Sequence, residues 1–236
     1  MNYFYITGTS SGLGRAMALQ LLASENNRVF GISRSRTIEH ERYRHFTADL
    51  NENLAHFHFS LHTDAESIVF VNNSGILGPV KPAGRIDHQD LKKVIRVNLT
   101  APLILLDKFL KTYQEVPCKK ILINISSGAA RYPFPSWMGY CSSKAGLDMA
   151  TQVIAAEQKN MTYPVFAFSV APGIVDTQMQ NEIRSTLPED FPLHQTFVDY
   201  KEKNQLWPPE KSAAAILSIC DNPMKYGEVL LDVRKL

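Results

Sequence analysis

Apolar residues fall in short runs spaced along the chain. Tyr3–Ile6 is rich in β-forming residues and stops at Thr7-Gly8, and Val29–Ile32, Ile68–Val71, Ile121–Ile125, Val165–Val170 and Glu228–Val233 have the same character. Most of these runs are apolar at consecutive positions, which predicts strands buried on both faces. Between them lie segments of helix length: Arg15–Leu22, Gln89–Tyr113, Ser142–Lys159 and Glu210–Cys220. Repeated β-then-α order predicts an α/β fold, a doubly wound parallel sheet in three layers. No internal repeat, low-complexity tract or linker-like break divides the chain, so residues 1–236 are expected to form one domain. Thr177–Pro209 is the one long irregular stretch, rich in Pro, Asp and Glu yet carrying Phe191, Phe197 and Trp207. Its length predicts a mobile lid over residues 177–209.

Composition narrows the class. The 236 residues are 44% hydrophobic and 20% charged, the proportions of a globular protein with a sizeable core. Lys and Arg (25) nearly balance Asp and Glu (23) and are scattered, so charge points to neither nucleic acid nor a membrane surface. No apolar run reaches the roughly 18 residues of a membrane span. Met1-Asn2-Tyr3-Phe4-Tyr5 lacks the basic-then-apolar pattern of a signal peptide, and a cytoplasmic location is expected. Cys118, Cys141 and Cys220 are too few and too scattered for a disulfide framework or a zinc site and read as reduced thiols. His56, His58 and His62 have no matching acidic or cysteine ligand at site spacing. A polar helix face is the simpler expectation for them, and no metal is predicted.

Candidate chemistry begins at Thr7-Gly8-Thr9-Ser10-Ser11-Gly12-Leu13-Gly14, between the first strand and the first helix. Glycines let a backbone approach phosphates closely, and the free amides and dipole of a helix N-terminus favour negative charge. A pyrophosphate would bind here, although a tight strand-to-helix connection calls for glycine in any case. The spacing is Gly-x3-Gly-x-Gly, not the common dinucleotide fingerprint.

Tyr140-Cys141-Ser142-Ser143-Lys144 supplies Tyr-x3-Lys, whose two side chains share one helical face. Ser127 stands 13 residues before Tyr140 at a strand end. With the glycine turn, these residues resemble the short-chain dehydrogenase/reductase family. The resemblance extends through Asn72-Asn73-Ser74-Gly75, where Ser74 replaces the family's usual alanine, through Asn98 in a helix, and through Pro172-Gly173-Ile174-Val175-Asp176-Thr177. It covers nearly the whole chain, in order.

The resemblance implies a Rossmann-type fold and the reduction of a carbonyl by a nicotinamide cofactor, with Asn98, Ser127, Tyr140 and Lys144 as the catalytic set. Tyr140 would deliver the proton, Ser127 hold the substrate oxygen, and Asn98 anchor a water linking Lys144 to solvent. Lys144 would hydrogen-bond the nicotinamide ribose and, as a nearby ammonium, lower the phenol pKa from its ordinary value near 10. Cofactor contacts are implied for Gly8, Ser10, Ser11, Gly12, Leu13, Gly14, Asp49, Leu50, Asn73, Ser74, Gly75, Tyr140, Lys144, Pro172, Gly173, Val175 and Thr177. At the end of the second strand, Ser33 stands where the family's NAD users carry aspartate, and Arg34 follows. A hydroxyl and a guanidinium suit a 2′-phosphate, so NADP (as NADPH) is the expected cofactor; Arg36 fits a solvated turn better. Asn51–Glu66 is short for the helix the resemblance implies there.

Aromatic residues crowd the segments that form substrate walls in the family. Tyr132, Phe134, Trp137 and Met138 precede Tyr140, and Met179, Phe191, Phe197 and Trp207 lie in or beside the lid. Ser127, Phe134, Trp137 and Met179 are the expected substrate contacts. The substrate is then a small carbonyl compound, apolar or aromatic, although the lid side chains could equally pack on one another. At a finer level Asn124–Ala129, Tyr140–Gly146 and Ala171–Gln180 are similar to family members that reduce aromatic diketones such as benzil. Family habit implies a homodimer. The competing reading is a non-catalytic dinucleotide sensor that binds a protein partner; loss of Ser127, Tyr140 or Lys144 would favour it, and all three are present.

Overall fold

The computed structural model describes residues 1–52 and 54–236. Its sheet comprises β1 (Asn2–Thr7), β2 (Asn27–Ser33), β3 (Tyr43–Thr47), β4 (Ser67–Asn72), β5 (Lys119–Ile125), β6 (Val165–Ala171) and β7 (Leu230–Asp232). The order is β3-β2-β1-β4-β5-β6-β7, and each neighbouring pair is parallel. Chain direction across the sheet reverses between β1 and β4, which opens a crevice at their carboxyl ends, the place where such folds bind ligands. This is the Rossmann-type α/β architecture expected from the apolar runs.

Alternate side chains of each strand enter opposite cores. Phe4, Ile6, Val69, Val71, Ile121 and Ile123 pack with α1 (Gly12–Leu22) and α7 (Pro209–Asp221). Tyr5, Ile68, Phe70 and Leu122 pack instead with α3 (Ala101–Tyr113) and α4 (Met138–Gln158). Burial on both faces is why these strands carry few polar positions.

The helical segment expected over Gln89–Tyr113 is divided into α2 (His88–Ile95), a π turn over Arg96–Thr100, and α3. Asp87 caps α2 by accepting from the Gln89 amide at 2.7 Å. Asn98, fully buried, sits in the π turn. Helix α4 starts four residues before the expected Ser142, at Met138, so Tyr140 lies in its first turn.

Two expectations need correction. Asn51–Glu66 contains no helix among the described residues, and His56, His58 and His62 do not lie on a helix face. His56 and His58 are exposed while Phe57 and Phe59 between and after them are buried, the period of two of an extended segment. Phe59 meets Tyr5, Phe57, Phe70 and Phe109 edge-on at centroid distances of 4.9 to 5.5 Å. His62 lies flat on Tyr3 at 3.7 Å, with its Nε2 2.8 Å from the Tyr5 hydroxyl. The segment covers the sheet with aromatic rings where a helix was expected.

The second correction concerns Thr177–Pro209, which is largely helical: α5 (Gln178–Arg184) and α6 (His194–Glu202) lie within it. Its polar composition hid them because each short helix buries only one or two apolar residues, Ile183 in α5 and Phe197 in α6. The two ends of the segment are tied together. The Trp207 amide donates to the Ile174 carbonyl at 2.8 Å, and the Asp176 amide to the Trp207 carbonyl at 2.9 Å. Cys118 and Cys141 are half-buried, Cys220 is buried, and all three are free thiols. Among the described residues no helix is long and apolar enough to cross a membrane.

If the extended segment is part of the core, truncating Phe59 carries a core penalty. Phe59→Ala is expected to lower stability by about 3–5 kcal/mol, measured by urea unfolding; a loss below about 1 kcal/mol would mean the segment is a loose cover.

Candidate active site

The crevice is assembled first by Thr7 at the end of β1. Its hydroxyl accepts from the backbone amides of Asn73 at 2.8 Å and Ser74 at 2.9 Å and lies 3.4 Å from the Asn72 side-chain oxygen. The Asn73 side chain returns a bond of 2.8 Å to the Thr7 carbonyl. The ends of β1 and β4 are thereby fixed to one another, and the chain turns through Gly8 (φ 76°) and Gly12 (φ 52°) into α1. A Cβ at Gly14 would stand 2.3 Å from the Gly8 carbonyl oxygen and 2.5 Å from Asn73 Nδ2, so only glycine lets the helix approach this turn. The N-cap residue Ser11 makes no side-chain cap bond, which leaves the first amides of α1 available to an anion. These features fit a pyrophosphate.

At the adenosine end, Ser33 is buried and its hydroxyl donates to the Ser35 carbonyl at 3.0 Å. Arg36 is engaged by Glu39 at 2.6 Å. Arg34 is exposed and, among the described residues, has no acidic partner. It lines the same crevice as Ser33.

Tyr140, Ser127 and Lys144 meet at the inner end of the crevice. The Ser127 hydroxyl lies close enough to the Tyr140 phenol to favour its ionised form, and Lys144 Nζ lies 5.9 Å from the Tyr140 ring centre. Lys144 donates to the Ile125 carbonyl at 2.8 Å. Asn98 accepts from the Ile76 amide at 2.9 Å and donates to the Ile76 carbonyl at 2.8 Å, bracing the turn after β4. A Cβ placed on Gly75 would stand 3.4 Å from both Asn98 Oδ1 and Lys144 Nζ, which brings those two side chains to one spot.

The expected lowering of the Tyr140 pKa is not what this arrangement produces. Burial pushes the phenol up to about 12, with the Ser127 hydroxyl opposing. Burial also pulls Lys144 down to about 8, with the Asp148 charge opposing. Both groups are nearly buried at the inner wall of the crevice, and each is driven towards its neutral form.

A cleft of about 1190 Å³ is lined by the expected site residues except Gly14, which packs against the glycine turn, and Asn98, which lies behind Gly75. Its substrate end is aromatic. Trp137 lies flat between Phe134 at 5.0 Å and Phe191 at 5.3 Å and meets Tyr140 edge-on at 5.6 Å. Tyr132, Phe134, Trp137, Met179 and Phe197 line the cleft. Phe191 is wholly buried behind them, Met138 faces solvent, and Trp207 lies under the Lys211 ammonium, 3.9 Å from its ring centre. The aromatic residues of the two segments therefore divide between lining the cleft and packing on each other.

Comparison with known proteins agrees with this geometry. A family model described as short chain dehydrogenase matches residues 2–188. The chain belongs to the short-chain dehydrogenase/reductase family. It is an oxidoreductase of that family, whose members use nicotinamide dinucleotides. The chain is 37% identical over 237 residues to benzil reductase ((S)-benzoin forming) of Bacillus subtilis, covering 97% of each chain. It is 34% identical over 161 residues to sepiapterin reductase of Xenopus tropicalis, covering 66% of this chain and 59% of that one. The crystal structure of a Saccharomyces cerevisiae short-chain dehydrogenase/reductase superposes with a TM-score of 0.82 at 26% identity, covering 99% of this chain and 96% of that one.

Sequence reasoning missed the polar groups behind the site. Thr7 is legible as the end of a run and the start of the glycine turn, but not as the acceptor that ties β1 to the turn after β4. Asp148 follows Lys144 by four residues, so it shares the helical face of Tyr140 and Lys144, and that spacing is the signal that points to it.

The glycine cradle yields a direct test. Gly14→Ala forces the Gly8 carbonyl aside and is expected to cost about 1–3 kcal/mol. Gly128→Ala, whose added Cβ would meet nothing within 4 Å, is the control expected to leave stability unchanged. Thermal unfolding of both variants checks this; equal midpoints would remove the close approach from the account.

Proposed function

We propose that this chain is an NADPH-dependent carbonyl reductase that converts a ketone or aldehyde to an alcohol, with aromatic α-diketones such as benzil as its substrate class. The observation that carries the reading is the meeting of Ser127, Tyr140 and Lys144 at the inner end of one cleft. When bound, NADPH supplies the hydride that reduces the carbonyl carbon. Ser127 and Tyr140 hold the substrate oxygen, and the Tyr140 O–H bond breaks as its proton passes to the developing alkoxide. With the phenol buried and its pKa raised, Tyr140 is protonated throughout the neutral range, the form that reduction requires. The phenolate left behind is steadied by the Lys144 ammonium and regains a proton from solvent. Asn98 holds the turn at Gly75 beside Lys144.

Three features support the finer choices. Arg34 is free to form charge-assisted bonds with a 2′-phosphate, which favours NADPH over NADH. The Phe134–Trp137–Phe191 stack and Met179 offer flat apolar walls suited to an aromatic ring. The full-length relative at 37% identity is named for benzil reduction. The segment 177–209 acts in this reading as the lid. Ser136 donates to the Asp190 carbonyl at 2.6 Å, and Arg85 pairs with the Asp190 carboxylate at 2.9 Å, holding the cap against the loops before α4 and α2 respectively.

NADPH oxidation with benzil as acceptor tests the activity directly. Tyr140→Phe is expected to slow turnover by about 10²–10⁴-fold while NADPH affinity changes little, because the ring stays and only the proton donor is lost. Turnover near that of the unaltered protein would overturn the mechanism. Arg34→Ala is expected to weaken NADPH binding by about 1.5–3 kcal/mol, the loss of a hydrogen bond to a charged group, and NADH binding far less. Fluorescence titration with the two cofactors checks it, and equal losses would remove the 2′-phosphate assignment.

A further inference from the structure

Beneath the cleft lies a polar cluster with no part in the scheme above. Asp148, one turn beyond Lys144 on α4, is 4% exposed. Its Oδ1 accepts from the hydroxyls of Ser126 and Ser169 at 2.5 Å each, and its Oδ2 lies 3.4 Å from Arg131 Nε. Arg131 also donates to the Leu231 carbonyl at 3.2 Å. One carboxylate thus joins the residue after β5, strand β6, the turn that follows β5, and edge strand β7. The two hydroxyl contacts are at the short limit expected for bonds to a carboxylate.

Ser126 stands between the two backbone positions on which the site depends. Ile125, before it, presents the carbonyl that receives Lys144 at 2.8 Å. Ser127, after it, bears the hydroxyl that faces the Tyr140 phenol. We propose that Asp148 is a positioning residue for proton delivery: through Ser126 and Ser169 it fixes the strand end that presents the Ile125 carbonyl to Lys144 and the Ser127 hydroxyl to Tyr140, and its negative charge holds the Lys144 ammonium there. The catalytic consequence rests on the carbonyl-reductase reading, whereas the coupling between Asp148 and Lys144 does not.

The balance of charges sets the signs. Burial draws Lys144 towards the neutral amine, to about 8, and Asp148 pushes the other way. Tyr140 faces Lys144 from the same helix, and Asn98 from the π turn is its uncharged neighbour. Arg131 faces Asp148 from the turn after β5, and Asp232 of β7 in turn faces Arg131. In Asp148→Asn the amide oxygen still accepts from both serines, but the negative charge is gone and Arg131 keeps only Asp232 opposite it, so Lys144 titrates at lower pH. Arg131→Met removes the cation that offsets Asp148, so Lys144 titrates at higher pH. A role confined to packing would slow both variants without moving either titration.

The test follows the Lys144 side chain by ¹³Cε NMR in lysine-labelled full-length protein, its signal assigned by disappearance in Lys144→Met. Alongside, the high-pH limb of kcat/KM is measured for benzil with NADPH. The expected result is a shift of about 0.5 pH unit or more downwards in Asp148→Asn and upwards in Arg131→Met, with the kinetic limb moving in the same sense. Unmoved titrations, or shifts in one common direction, would overturn the proposal. If Asp148→Asn does not fold, Arg131→Met decides alone: an upward shift supports the proposal and no shift overturns it. A protein without turnover on benzil whose Lys144 titration still shifts in opposite senses supports the coupling and overturns only the reductase reading.

Discussion

One hydroxyl holds the crevice together. Thr7 accepts two backbone amides from the turn after β4 and meets the Asn72 side chain, so the strands flanking the reversal in sheet order cannot separate. The link continues inward: Asn72 donates to the Asn124 side chain at 3.1 Å, and Asn124 donates to Thr151 of α4 at 2.8 Å. A buried polar chain therefore runs from the phosphate turn, across three strands, to the helix that bears Tyr140 and Lys144. Each member needs its neighbour, because an unpaired polar group in a dry core costs about 1–3 kcal/mol. The glycine turn and the Tyr140–Lys144 end of the cleft are positioned by one connected network.

Against this rigid floor, the electrostatics of the site are in tension. A buried phenol and a buried amine both resist charge, yet in the proposed reaction proton delivery leaves a phenolate that a nearby ammonium must steady. Asp148 lies where that tension is eased, close enough to act on Lys144 yet bonded on its far side to Ser126, Ser169 and Arg131. The apolar end of the cleft behaves differently. Its rings are held by stacking, and Trp137 touches both Phe134 in the loop before α4 and Phe191 between α5 and α6. Shape recognition and proton chemistry thus depend on separate physical supports that meet at Tyr140.

The parallel sheet was legible because both faces of each strand are buried, which leaves apolar runs at Ile68–Val71 and Ile121–Ile125 that suit little else. Tyr140, Lys144, Ser127 and the glycine turn were legible because their spacing follows from a helix turn and a strand end. Two segments were not. In Asn51–Glu66 the alternation of His56, Phe57, His58 and Phe59 is the pattern of an extended chain, and an expected helix obscured it. In Thr177–Pro209 each short helix is stabilised by tertiary contacts of one or two residues, too few to give a periodic signal. The raised Tyr140 pKa was hidden for another reason: desolvation depends on what surrounds a ring in space, and spacing along the chain carries no record of it.

The π turn at Arg96–Thr100 has a consequence for which changes of chain length the fold tolerates. One residue more than an α-helix requires is accommodated there, and each residue of a helix advances its phase by about 100°. Because the widened turn absorbs that advance, deleting a residue between Arg96 and Thr100 would close it into regular α geometry and leave Leu105, Phe109 and Tyr113 facing the sheet. What a shortening takes away is the turn itself, from which Asn98 brackets Ile76.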